Sequence, residues 1–201
     1  MNHAKRYVGT ALLAALMGCT HPGPQAGPNW VSLPADATVG AGDPTRAAII
    51  NTAYVFGTPS SVAGRPADAA RAVAQLEYLA TEIPTGPRWR EFDPTVALAL
   101  QQARREERAA LAIAPQAPPQ AVIEALFAAS RALRANDTTA AQRILSPPVF
   151  PDGALTLQRL ANLPLLPITN QATSRAAAEL DRMDRMGESG GPSGAGGGGR
   201  P

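Results

Sequence analysis

The chain has 201 residues, 18 Lys and Arg against 16 Asp and Glu, two histidines and one cysteine. That length suits one domain of common size, and a lone cysteine excludes a disulfide framework within the chain. Without Lys5 and Arg6, both in the leader, the 18 cations fall to 16 and balance the 16 acids, so no basic field remains to hold a nucleic acid.

Lys5 and Arg6 precede an apolar run, residues 8–17, interrupted only by Gly9 and Thr10. A spanning helix needs about 20 apolar residues, so the run fits the hydrophobic part of an export signal. It closes on Leu16, Met17, Gly18 and Cys19, with a small residue just before the cysteine. These four residues resemble the lipobox of bacterial lipoprotein precursors, although Met17 stands where Ala or Ser is more usual. The resemblance covers residues 1–19. It implies loss of residues 1–18 as a signal peptide, a diacylglycerol on the Cys19 thiol and a further acyl chain on the new amino group, palmitate being the label to follow. Each buried acyl CH₂ contributes about 0.8 kcal/mol; one chain anchors marginally and two or three anchor stably. Thr20 is not the Asp that resembles an inner-membrane retention signal, so the implied place is the outer membrane, facing the periplasm.

Residues 19–43 read as a lipidated stalk, with Pro22, Pro24, Pro28 and Pro34 among Gly23, Gly27, Gly40 and Gly42. As extended polyproline helix, this stretch reaches on the order of 70 Å. Trp30 within it suits either a membrane interface or a dock on the domain.

The domain is expected over residues 44–187, as an all-α irregular bundle of about five to seven short helices. Asp43 and Pro44 form a start signal for a helix over 45–56 carrying Ile49, Ile50, Tyr54 and Phe56. Pro66 opens a second, with Ala69, Val73, Leu76, Leu79, Ala80 and Ile83 at helical spacing and Pro84, Gly86 and Pro87 as its stop. Asp93 and Pro94 open a third, predicted to run to about residue 114 through Val96, Leu100, Ala103 and Leu111. A fourth spans 120–135 with a wide apolar face through Val122, Leu126, Phe127 and Leu133. Asp137 and Asp152 cap two short helices. Residues 163–168, Leu-Pro-Leu-Leu-Pro-Ile, are apolar and not expected to be helical; they suit a lid over the bundle or a strip for a partner. A polar helix over 170–186 and a Gly-rich tail over 188–201 complete the chain.

The chemistry-bearing residues are sparse. His3 leaves with the signal and His21 lies in the stalk, so the domain has no histidine base and no free thiol. No metal site and no cofactor are expected. Asp181 and Asp184 alternate with Arg182 and Arg185, which suits a solvated helix. Arg104, Arg105, Glu106, Glu107 and Arg108 are the densest charge run, read as pairs across one helical turn, with a docking patch as the alternative. Arg88, Trp89 and Arg90 are the candidate partner contact, since Trp and Arg dominate binding hot spots; the preferred reading of Trp89 puts it in the core between the second and third helices with an Arg on its edge.

The functional expectation is a membrane-anchored, non-enzymatic helical interaction or scaffold module, held by lipid on Cys19 and bound to an envelope protein. The alternative is a periplasm-facing carrier or sensor for a small apolar ligand, with a cavity among Leu76, Leu100, Phe127 and Leu133.

Overall fold

A computed structural model describes residues 30–37 and 42–189. Among them are seven α-helices and no strand: α1 Pro44–Gly57, α2 Pro66–Thr85, α3 Pro94–Ala110, α4 Pro119–Arg134, α5 Thr138–Ile144, α6 Gly153–Ala161 and α7 Pro167–Ser189. The all-α expectation holds.

Proline and aspartate set the helix starts. Pro44, Pro66, Pro94, Pro119 and Pro167 each occupy a first helical position, where the missing N–H would have had no partner anyway. The carboxylates of Asp43, Asp93, Asp137 and Asp152 accept from the free amides of Thr45, Thr95, Ala140 and Leu155 at 2.8–2.9 Å. Helix α4 ends where Asn136 turns left-handed at φ 60°, a conformation asparagine tolerates.

The axis of the bundle is α2. Every residue from 72 to 80 is buried, so this helix is covered on all faces. It packs against α1, α3, α4 and α6. Ala69, Ala70, Ala72, Ala74 and Ala80 supply short side chains that let those neighbours close in. Helix α7 lies across α1 and α3, pinned where Arg46 meets Asp184 at 2.5 Å and where Glu179 accepts the Asp93 amide at 2.9 Å. The end of α3 is finished by α6: Thr156 and Arg159 donate to the carbonyls of Leu111 and Ala110 at 2.8 and 2.7 Å.

Helix α2 ends at Thr85 with Gly86 as its C-cap, within the expected stop; Pro84 fits inside its last turn because a proline so near the end of a helix forfeits a single hydrogen bond. Other boundaries differ from expectation. Helix α3 stops at Ala110 instead of about 114, since Ala112 adopts φ 55° and no α-helix continues through that conformation. Helix α7 begins at Pro167, so Ile168 is helical and only the earlier part of the 163–168 stretch is irregular. Ile50 and Tyr54 of α1 point outward, while Thr45 and Thr52 are buried in their stead.

The largest correction concerns the expected stalk. Residues 30–37 lie on the α2–α4 surface as a strap, with Val31 and Ala37 buried. Gln120 holds Ser32 at both backbone atoms, accepting at 2.9 Å and donating at 3.3 Å. Arg71 donates to the Ala37 carbonyl at 2.8 Å, and Arg131 pairs with Asp36 at 3.2 Å. Two apolar side chains at alternate positions, Val31 and Leu33, gave the strap something to bury despite its proline. Cys19 and the 188–201 tail, apart from the backbone of residues 188 and 189, lie outside the described residues.

The turn between α5 and α6 is the tightest backbone approach. A Cβ on Gly153 would stand 1.7 Å from the Leu145 carbonyl oxygen. Gly153→Ala is expected to cost about 1–3 kcal/mol, read as a lower urea midpoint; an unchanged midpoint would show that this corner relaxes freely.

Candidate functional site

The charge run on α3 does not lie along the surface. Arg108 turns inward and grips the buried Glu77 of α2 with two hydrogen bonds, Nε to Oε2 at 3.0 Å and Nη2 to Oε1 at 2.5 Å. Its Nη1 donates to the Pro115 carbonyl at 2.8 Å, so one guanidinium joins α2, α3 and the loop leading to α4. Arg104 stands 3.8 Å from the same carboxylate and donates to Thr81 Oγ1 at 3.1 Å. Glu106 faces the other way: it accepts the Thr169 amide at 2.7 Å and the Ile168 amide at 3.2 Å, so the first turn of α7 is capped from α3.

Glu107 has no such role. It is 0% exposed, and both carboxyl oxygens are buried without a hydrogen-bond partner. Burial, reinforced by the negative charge of Glu77 and opposed by Arg108, holds its carboxyl well above the ordinary glutamate range. Burial also raises Glu77, against the bonds and charge of Arg108 and then Arg104. Arg104 and Arg108 therefore share the Glu77 carboxylate, which leaves the Arg104 charge only partly compensated. Burial lowers the Arg104 pKa, opposed by Glu77 and assisted by Arg108 and Arg105.

Arg104 opens onto a cleft of about 340 Å³ at the carboxyl end of α2. Trp30, at the head of the strap and 56% exposed, stands on one wall. Pro84, Pro118 and Pro119 give further apolar wall, and Thr81, Gln101 and Gln120 bring polar atoms. The cleft thus combines an aromatic ring, rigid prolines and a cation backed by a buried network, a chemistry that favours an extended segment bearing an anionic group. Four elements distant in sequence make it: the strap, the end of α2, α3 and the start of α4 with the proline before it.

The candidate partner contact is reorganised. Trp89 is 5% exposed, stacked edge-on against Phe92 at 5.3 Å between ring centres, with its Nε1 donating to Glu82 at 3.3 Å. Arg88 sits 5.1 Å above the Trp89 ring and pairs with Asp43, tying the α2–α3 turn to the start of α1. Only Arg88 and Arg90 face solvent, so the aromatic that would anchor a partner there is spent in the core. Leu76, Leu100 and Phe127, expected around a ligand cavity, are fully buried members of one core cluster with Leu133 at its edge. In the 163–168 stretch, Leu166 is buried as a lid residue would be, while Leu165 is 80% exposed. Arg182 and Arg185 bond to Glu179 and Asp181, and Asp184 is taken by Arg46.

The buried network was absent from the sequence reading, although a signal for it existed. Glu77 falls four residues after Val73, and Glu107 four after Ala103, so each sits on the apolar stripe of its helix. A carboxylate on such a stripe demands a partner or a proton. Which cation answers it depends on how α2 and α3 meet. Among the described residues no group of three or more His, Cys, Asp or Glu side chains is arranged around a metal position. No protein-family model, curated protein or solved structure matches this chain.

Two measurements test the network. Arg108→Leu strands Glu77 and should lose roughly 3–5 kcal/mol, whereas the Glu77→Leu, Arg108→Leu pair should recover most of that loss; equal damage in both would mean that the arginine acts mainly by packing. Glu107 has a raised pKa when folded, so its favourable contribution is present at low pH and is lost as pH climbs through the folded-state value. The stability gap between Glu107→Gln and wild type should therefore widen between about pH 5 and pH 8, by at most about tenfold in the folding constant per unit. A constant gap would place an ionised Glu107 in contact with water.

Proposed function

We propose that this chain is a lipid-anchored protein of the bacterial cell envelope that engages an envelope protein partner without catalysing a reaction. The observation that carries the anchor is Cys19, the chain's single cysteine, at the end of an apolar run and directly after Leu16, Met17 and Gly18. Processing there would place a diacylglycerol on the thiol and free an amino group for acylation, with the helical domain behind them. No described helix is long and apolar enough to cross a membrane, so attachment through that cysteine is the membrane contact this reading uses. The preferred place is the outer membrane, facing the periplasm.

The interaction half of the reading is supported by the Trp30 and Arg104 cleft. The strap bears directly on it. Since residue 30 is held on the domain, ten residues, 20–29, separate Cys19 from the packed part of the chain. Their fully extended reach is roughly 40 Å, at up to about 3.6 Å per residue, well short of the span of the whole 20–43 stretch. The cleft therefore lies within that reach of the anchoring surface, and a partner at or near that membrane can meet it.

Cys19→Ala should abolish cleavage and palmitate incorporation while leaving the domain folded; normal processing and labelling in that variant would sink the anchor. For the cleft, a photocrosslinking residue at Gln101 should capture one envelope protein in intact cells, and Trp30→Ala should reduce that capture about tenfold or more. Capture unaffected by Trp30 would move the interface elsewhere on the domain.

A further inference from the structure

A second cleft lies at the amino end of α2, some fifteen residues back along the helix from the first, or about 20 Å. Arg65, Arg71 and Arg134 converge on it, with Asp68 between them. Asp68 is the one acid in this lining. It receives Arg134 at 2.8 Å and Arg65 at 3.8 Å, so two net positive charges remain among four side chains. Arg65 and Arg134 also line an adjoining hollow, which continues toward Asn136 and Thr138. The two spaces measure about 260 and 480 Å³.

Three features set this cleft apart from a solvated arginine patch. Arg71 is fixed: its Nη2 donates to the Ala37 carbonyl at 2.8 Å, and its guanidinium lies 5.9 Å from the centre of the Phe127 ring. Its partners are two backbone carbonyls, of Asp36 at 3.4 Å and of Ala37, and an aromatic face, so no carboxylate is bonded to it in return. Next, the Ser61 hydroxyl, which lines the same cleft, is buried without a hydrogen-bond partner, and a buried hydroxyl is costly to leave unsatisfied. Finally, the cations repel one another. Burial lowers the Arg71 pKa and the neighbouring Arg134 lowers it further, against the smaller opposing effects of Asp36 and Asp68. Tyr54, largely exposed, stands on the rim.

We propose that this cleft binds a phosphate group, with Arg65, Arg71 and Arg134 supplying the charge and Ser61 a hydroxyl donor. A phosphate monoester carries close to two negative charges at neutral pH, matching the two uncompensated cations. Guanidinium forks suit its oxygens. A free phosphate ester and a phospholipid headgroup both offer phosphoryl oxygens to the guanidinium forks, the headgroup diester with one negative charge and the free monoester with close to two. The site is independent of the cleft at the other end of α2 and does not require Cys19 to be acylated.

The test uses the full chain in a neutral detergent. Inorganic phosphate is titrated while the side-chain N–H resonances of the arginines are followed by NMR. In parallel, binding to phosphatidylglycerol vesicles is compared with binding to phosphatidylcholine vesicles, the excess on the anionic surface being the quantity of interest. Saturable shifts at Arg65, Arg71 and Arg134, weakened at least about tenfold in the Arg65→Gln, Arg134→Gln double variant, would support a site for free phosphate. An anionic-vesicle excess lost in the same variant, without a response to inorganic phosphate, would assign the site to headgroups. Asp68→Asn removes the compensating acid and should strengthen whichever binding is seen, a gain that misfolding cannot imitate. No response from either probe, or responses indifferent to these substitutions, would overturn the proposal.

Discussion

The bundle depends on how α2 is neutralised. A helix buried from residue 72 to residue 80 cannot leave a carboxylate there unpaired, and Glu77 sits in that stretch. Arg108 answers it with a two-pronged bond and in the same step holds the Pro115 carbonyl. The register of α3 on α2 and the entry into α4 are therefore set by one guanidinium. A buried ion pair adds little net stability over an apolar pair of the same volume, yet breaking it is severe. Its role here is to select one arrangement among helices whose alanine-rich faces would otherwise slide with little penalty.

Around that axis, the remaining charges of the α3 run are divided by direction. Glu106 leaves toward α7 and caps it, Arg104 reaches the Trp30 cleft, and Glu107 enters the core, where burial raises its pKa. A five-residue stretch thus closes a helix end, locks a helix pair and furnishes a surface site. The α3 periodicity explains the division: successive residues of a helix step by about 100°, so five in a row cover every side.

The strap changes how a tethered domain would stand on a membrane. A flexible stalk over 20–43 would let the domain tumble far from its anchor. With residues 30–37 seated on α2 and α4, the free length shrinks and the chain leaves the domain beside Trp30. In the proposed setting the two clefts differ accordingly: the aromatic one lies next to the exit of the tether, and the arginine one lies at the other end of α2. Their chemistries differ too, one mixed and proline-walled, the other cationic.

Helix starts other than that of α7 were legible in the sequence, because proline and aspartate act locally: Asp43 with Pro44, Asp93 with Pro94, Asp137 and Asp152 all cap as their positions dictate. So were the all-α class and the apolar stripes of α2 and α4, which follow from spacing alone. Helix ends were less so; Ala112 turns left-handed without any glycine to announce it. The core place of Trp89 beneath an arginine follows the sequence reading, whereas the strap, the pairing of Glu77 with Arg108 and the meeting of Arg65, Arg71 and Arg134 were decided by tertiary structure. Each joins residues on different elements, and a one-dimensional pattern gives the face a side chain occupies but not the neighbour that face will meet.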